Sequence, residues 1–150
     1  VCTFAEGVDG LKGLPREQRS LVHRWEAGRP LSSPFKVGRL AQEDFFNTMV
    51  ANDTDRSMVS REHFQIRAQE AQADGAASAR GGLPCSFFLA NLGRTWTTVN
   101  GALLDACGKE VQLHDGDRIA LGRKSVTADG VRYTPFLQLR FELAGSVVRD

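Results

Sequence analysis

The stretch FLQLRFEL, residues 136–143, decides the fold. Leu137, Leu139, Phe141 and Leu143 alternate with Gln138, Arg140 and Glu142. In an extended chain successive side chains point to opposite faces, so this period of two gives one face for a core and one for water. It predicts a half-buried β-strand near the end of the chain.

Working outward, most of the chain repeats that theme in shorter pieces. PFKVGR predicts a short strand ending at Gly38. HFQIRA predicts another, with Phe64, Ile66 and Ala68 on one face and Gln65 and Arg67 on the other. SFFLANL is apolar on both faces, as a buried strand is. TTVNG runs into Asn100-Gly101, a strong hairpin dipeptide. KEVQLHDGDRIALG holds a turn at Asp115-Gly116 and then a strand over Asp117 to Leu121. SLVHRWEAGRPL reads as a strand followed by a turn. Many short strands punctuated by turns predict an all-β sandwich or barrel.

Three segments do not read as strands. Residues 1–18 form a Gly-spotted lead-in, and residues 40–58 a long connection with room for a turn of helix or a short strand near Thr48 to Val50. Residues 69–83 are Ala- and Gly-rich and read as a flexible inserted loop. The expected organisation is a lead-in or linker over 1–18, one domain over 19–145 and a tail over 146–150. The chain has no initiator Met, which predicts that it is a piece of something longer.

Composition narrows the function classes. A formal net charge of +1 argues against a protein that tracks a nucleic-acid backbone. No run approaches the roughly 18 apolar residues of a membrane span, and the start of the chain lacks the pattern of a secretory signal. Cys2, Cys85 and Cys107 are odd in number and far apart, which fits a reduced, intracellular setting and no zinc site. Nuclear and cytoplasmic locations are not distinguished by this. Asp53, Asp55 and Ser57 have the first spacings of a calcium loop, but Met58 stands where a Gly is needed and Phe64 where a bidentate Glu is needed. His23, His63 and His114 are too scattered for zinc. No metal or cofactor is expected.

VSREHF, residues 59–64, sets a hydroxyl, a guanidinium, a carboxylate and an imidazole in a row. Catalysis by Ser60 and His63 would need the base beside the nucleophile and an oxyanion hole. There is no G-x-S-x-G elbow and no phosphate-cradling G-x-x-x-x-G-K, so an enzyme is not expected. Arg39, Arg61 and Arg94 each lie at a strand end or in the loop beyond it, and loops at one end of a sandwich converge. Two readings stand: an anion-binding mouth with Arg and Ser donors, or solvated strand-end residues. Spacing by itself favours the second.

Taken in order, Gly38-Arg39, Ser60-Arg61-Glu62-His63, Val99-Asn100-Gly101, Asp115-Gly116-Asp117 and Leu121-Gly122 resemble the forkhead-associated (FHA) family, from about Leu21 to Leu143. The resemblance implies a sandwich of two twisted, mainly antiparallel sheets with a long inserted loop. It also implies a non-catalytic module that binds phosphothreonine peptides of protein partners through loops at one end. By that resemblance Arg39, Ser60 and Arg61 contact the phosphopeptide, with Arg94 and Thr95 from the following loop. Gly38, His63, Asn100 and Gly101 support the binding loops. Thr95 and Trp96 stand where the family has Asn and Gly, so that loop is expected to differ in shape, with Arg94 adding a phosphate contact. The alternative is a scaffold that has lost phosphate binding and meets a protein partner elsewhere, for which an exposed Trp96 is the natural anchor.

Overall fold

The computed structural model describes residues 2–6, 15–22, 34–50, 52–70, 85–93, 96–104 and 109–143. Among the described residues ten strands lie in two antiparallel sheets. The first contains β1 (Cys2–Glu6), β2 (Ser20–Val22), β6 (Thr97–Val99), β7 (Ala102–Leu104), β9 (Arg118–Thr127) and β10 (Gly130–Glu142). Its strand order is β2-β1-β10-β9-β6-β7. The second contains β3 (Phe35–Val37), β4 (Phe64–Glu70), β5 (Cys85–Asn91) and β8 (Glu110–Leu113), in the order β3-β4-β5-β8. This is the β-sandwich that the strand pattern and the resemblance implied.

The alternation in FLQLRFEL holds as far as Phe141: Leu137, Leu139 and Phe141 are buried, while Gln138 and Arg140 are half-exposed. It ends there, since Glu142, expected on the wet face, is buried and Leu143, expected in the core, is half-buried. The strand starts earlier than the alternation does, at Gly130, and pairs with β9 across a bulge between Pro135 and Leu137. Proline has no N–H for the ladder, so an irregularity there is the expected accommodation. The rings of Phe141 and Phe87 meet between the sheets with centroids 5.6 Å apart. Phe35, Val37, Phe64, Ile66 and Leu89 from one sheet and Ile119, Leu121, Leu137 and Leu139 from the other complete the core. Each such side chain contributes about 1.5–3 kcal/mol by leaving water.

The outer face of β5 explains why SFFLANL is apolar on both sides. Leu89 points into the core, and Phe88 lies on the other face under the Arg67 guanidinium, 4.4 Å from the ring centroid. Glu110 holds that guanidinium from β8 through two hydrogen bonds of 2.5 and 2.9 Å. The arginine stem and head cover the ring while the charge stays wet.

The lead-in is not all linker, because Cys2–Glu6 is a strand inserted between β2 and β10 in the first sheet. Of the two options for the 40–58 connection, helix or a short strand near Thr48 to Val50, the chain takes helix, and takes it twice, in α1 (Glu43–Met49) and α2 (Asp53–Met58). Asn52 caps α2 by accepting the N–H groups of Thr54 and Asp55 at 2.9 and 3.1 Å, and Asp53 and Asp55 sit in its first turn, where the helix dipole favours them. The spacing that resembled a calcium loop is thus a capped helix start. Phe46, Met49, Val50 and Val59 are buried and fasten the helices to the core. Asp55 is buried beside β9, with Arg123 Nε 3.3 Å from its Oδ1, near enough for charge attraction but not aligned for a hydrogen bond. Gln69 and Glu70, read as the start of an inserted loop over 69–83, belong to β4; residues 71–84 lie outside the described residues, as do the later part of the SLVHRWEAGRPL segment and the 146–150 tail.

Candidate functional site

At one end of the sandwich, three chain segments meet on His63. Its N–H donates to the Val37 carbonyl at 2.8 Å, which fixes it to the end of β3. Its carbonyl accepts the N–H groups of Leu92 and Gly93 at 2.9 and 3.0 Å, which fixes the start of the β5–β6 loop. Its ring Nδ1 accepts the Ser60 N–H at 3.1 Å. Accepting there requires an unprotonated Nδ1, so in the neutral ring the proton is on Nε2. The ring is fully buried, and that burial pulls its pKa down to about 4. It therefore stays neutral and keeps accepting at physiological pH. These bonds tie the Val37, Ser60 and Gly93 segments to one residue, and they leave Nδ1 engaged with a backbone N–H. Nδ1 thus faces the Ser60 backbone and not its hydroxyl as a base would.

Arg39 and Ser60–Arg61 are 21 residues apart in sequence and adjacent in space. The Arg39 N–H donates to the Ser60 carbonyl and the Leu40 N–H to the Arg61 carbonyl, both at 3.0 Å. The Arg39 side chain reaches the same segment, with Nε donating to the Val59 carbonyl. Gly38 makes this approach possible. A Cβ on it would run into the Arg61 carbonyl oxygen and lie 2.8 Å from the Ser60 oxygen, both of them backbone. Gln42 closes the turn, accepting the Gly38 N–H at 2.8 Å and donating to the Lys36 carbonyl at 2.9 Å.

Arg39 and Arg61 are exposed and Ser60 is half-buried. Among the described residues the Arg61 guanidinium has no hydrogen-bonding or ion-pairing partner. Neighbouring Glu62 does not neutralise it, since Glu62 pairs with Lys36 at 3.3 Å. Two guanidiniums and a hydroxyl thus share one rim, a donor set suited to an oxyanion.

Gly93 belongs to this rim and was missed from the sequence. A Cβ there would collide with the Ser60 hydroxyl and stand 3.0 Å from its Cβ. The signal for it was a glycine immediately after a buried strand, which often marks a close approach of another chain segment. Arg94 and Thr95, expected to contribute contacts, lie outside the described residues. Trp96 is half-buried, and its ring packs on Tyr133 with centroids 6.1 Å apart. It is a packed residue and not the exposed anchor offered for the alternative reading.

Asn100 and Gly101 are not beside these loops. They form the β6–β7 turn with φ of 51° and 82°, the pair of positive angles that a two-residue hairpin demands. Asn100 Nδ2 donates to Asp117 Oδ1 and its Oδ1 accepts the Arg118 N–H, both at 2.9 Å. Its N–H donates to the Arg118 carbonyl at 2.8 Å. Asp117 in turn accepts the His114 N–H at 2.7 Å. These bonds brace the β8–β9 turn at the far end of the sandwich. The near end of β6 is Thr97, whose hydroxyl donates to Asn91 Oδ1 at 3.3 Å, while Asn91 Nδ2 donates to the Leu104 carbonyl at 3.2 Å. Those buried bonds couple the two sheets directly beneath the candidate rim.

No helix among the described residues is long and apolar enough to cross a membrane. Comparison with curated proteins and with solved structures returned no match. The family model described as FHA domain matches residues 35–122, a span that runs from β3 into β9 and contains Gly38, Arg39, Ser60, Arg61, His63 and Gly93. The chain therefore belongs to the FHA family, whose domains are non-catalytic modules that bind phosphorylated protein partners.

Proposed function

We propose that this chain binds phosphothreonine peptides, with Arg39, Ser60 and Arg61 as the described part of the contact set and Arg94 and Thr95 completing it from the β5–β6 loop. The observation that carries the reading is the pair of 3.0 Å backbone hydrogen bonds that sets Arg39 against Ser60 and Arg61. A phosphothreonine carries about −1.5 to −2 charge and three acceptor oxygens. A guanidinium matches two of them at once. Charge-assisted bonds of this kind are worth roughly 1.5–3 kcal/mol each, against about 8 kcal/mol for a micromolar complex. The phosphate then accounts for much of the affinity. The Ser60 hydroxyl donates to a phosphate oxygen, while His63 holds the Ser60 backbone from behind.

The test is a titration of fluorescent peptides carrying phosphothreonine, phosphoserine or plain threonine against wild type, Arg39→Ala and Ser60→Ala. The phosphothreonine peptide should bind best, plain threonine hardly at all, and each substitution should weaken binding by tenfold or more. Binding that ignores the phosphate, or that survives both substitutions, would overturn the assignment.

A further inference from the structure

The two helices of the 40–58 connection do more than lengthen it. With the rim they enclose an open cleft of about 350 Å³, whose lining includes Arg39, Glu43, Asn47, Asp53, Arg56 and Arg61. Three guanidiniums face two carboxylates here. Asp53 is engaged with Arg56 one helical turn away, and its side chain is 89% exposed against 28% for Arg56. The cation therefore sits deeper than its partner. An exposed pair of this kind is weak and readily exchanged for a better anion. The cleft is also held in shape, because Phe46 and Met49 anchor α1 and Val59 anchors the end of α2 in the core.

We propose that this cleft is a second subsite, which takes an acidic side chain flanking the phosphothreonine in the same peptide. The inference rests on the phosphopeptide reading above. Arg39 and Arg61 border both places, so a peptide whose phosphate lies on the rim has its neighbouring residues over the cleft. An anionic group arriving there exchanges with Asp53 for Arg56 and shares Arg61. Asn47 on α1 offers an amide donor, and exposed Leu40 offers apolar contact to the stem of the incoming side chain. A carboxylate and a second phosphoryl group have the same acceptor chemistry, so Glu and phosphoserine are both candidates.

The experiment scans one phosphothreonine peptide, placing Ala, Glu or phosphoserine at each flanking position in turn, and measures Kd by fluorescence anisotropy. At one or two positions Glu should bind about fivefold tighter than Ala, and phosphoserine at least as tightly as Glu. The Ala-to-Glu ratio at those positions should fall to near one in Arg56→Gln. Asn47→Asp, on α1 and exposed, should lower the same ratio by its added negative charge. A ratio near one at every position in wild type, or a ratio unchanged in both variants, overturns the subsite. Tight binding of the all-Ala phosphothreonine peptide alongside such a result would leave the phosphothreonine reading standing. Failure of every phosphothreonine peptide to bind would sink both. A preference for phosphoserine without one for Glu would restrict the subsite to phosphoryl groups and overturn the carboxylate half of the proposal.

Discussion

Nδ1 of His63 accepts the backbone N–H of Ser60 at 3.1 Å, from inside a site where the imidazole is fully buried. That bond needs the neutral ring, and burial holds the His63 pKa at about 4, below the 6.5 of a free imidazole. Between those values the unfolded chain takes up a proton that the folded chain resists. His63 thus adds its full stability above pH 6.5, and that stability drains away as pH falls towards 4. From pH 7.5 to 4.5 the loss amounts to about 2–3 kcal/mol. Urea unfolding of wild type and His63→Gln at both pH values isolates it from the titrating carboxylates. The wild type should lose more stability on acidification than the variant by about that amount. Equal losses would mean that His63 titrates normally.

Gly38 and Gly93 both face Ser60, and they should fail differently when given a side chain. A Cβ at Gly38 meets only backbone, the carbonyls of Ser60 and Arg61. Backbone held by paired hydrogen bonds has nowhere to go, so Gly38→Ala should cost about 3 kcal/mol of stability. A Cβ at Gly93 meets the Ser60 side chain. That hydroxyl can swing away, but only out of its place on the rim. Gly93→Ala should therefore lower phosphopeptide affinity by tenfold or more with a stability loss under about 1.5 kcal/mol. Thermal melts and peptide titrations on the two variants decide it. A Gly93→Ala protein that binds as wild type would remove Ser60 from the contact set.

How far such relationships can be read from sequence depends on what sets them. The alternating strands were legible because the period of two is written in single residues, as in Leu137, Leu139 and Phe141. β1 was not legible, since CTFAE becomes a strand by pairing with β2 and β10, partners far away in the chain. The helices α1 and α2 are seven and six residues long, too short to show a helical period. Their one local mark was Asn52 before Asp53 and Asp55, a capping pattern. The nearness of Arg39 to Ser60 came only through resemblance to a family; spacing alone favoured unrelated surface residues. Resemblance also misplaced Asn100, because a motif records order along the chain and not which end of the sandwich a turn occupies.

That placement of Asn100 is itself testable. Its side chain satisfies Asp117 and the Arg118 N–H, and its backbone holds a φ of 51° that Asn tolerates better than most residues. Asn100→Ala removes both bonds and adds strain, and should cost about 2 kcal/mol. Since the turn lies at the far end of β6, phosphopeptide affinity should stay within twofold of wild type at a temperature where the variant is folded. A tenfold loss of binding with the fold intact would return Asn100 to the support of the binding loops.

The last prediction concerns how α2 is held. Asp55 is buried and paired with Arg123 on β9, at 3.3 Å without hydrogen-bond alignment. Removing Arg123 leaves a carboxylate with little water and no countercharge, whereas Asp55→Asn removes the charge that needed one. Arg123→Ala should therefore destabilise the protein by about 1–2 kcal/mol, a modest figure because Arg123 itself is 44% exposed and screened. In the background of Asp55→Asn the same substitution should cost less than about 0.5 kcal/mol. A double-mutant cycle by urea unfolding measures the difference directly. Strict additivity would show that the pair does not hold α2, and that Val59 and the buried face of α1 do so by packing alone.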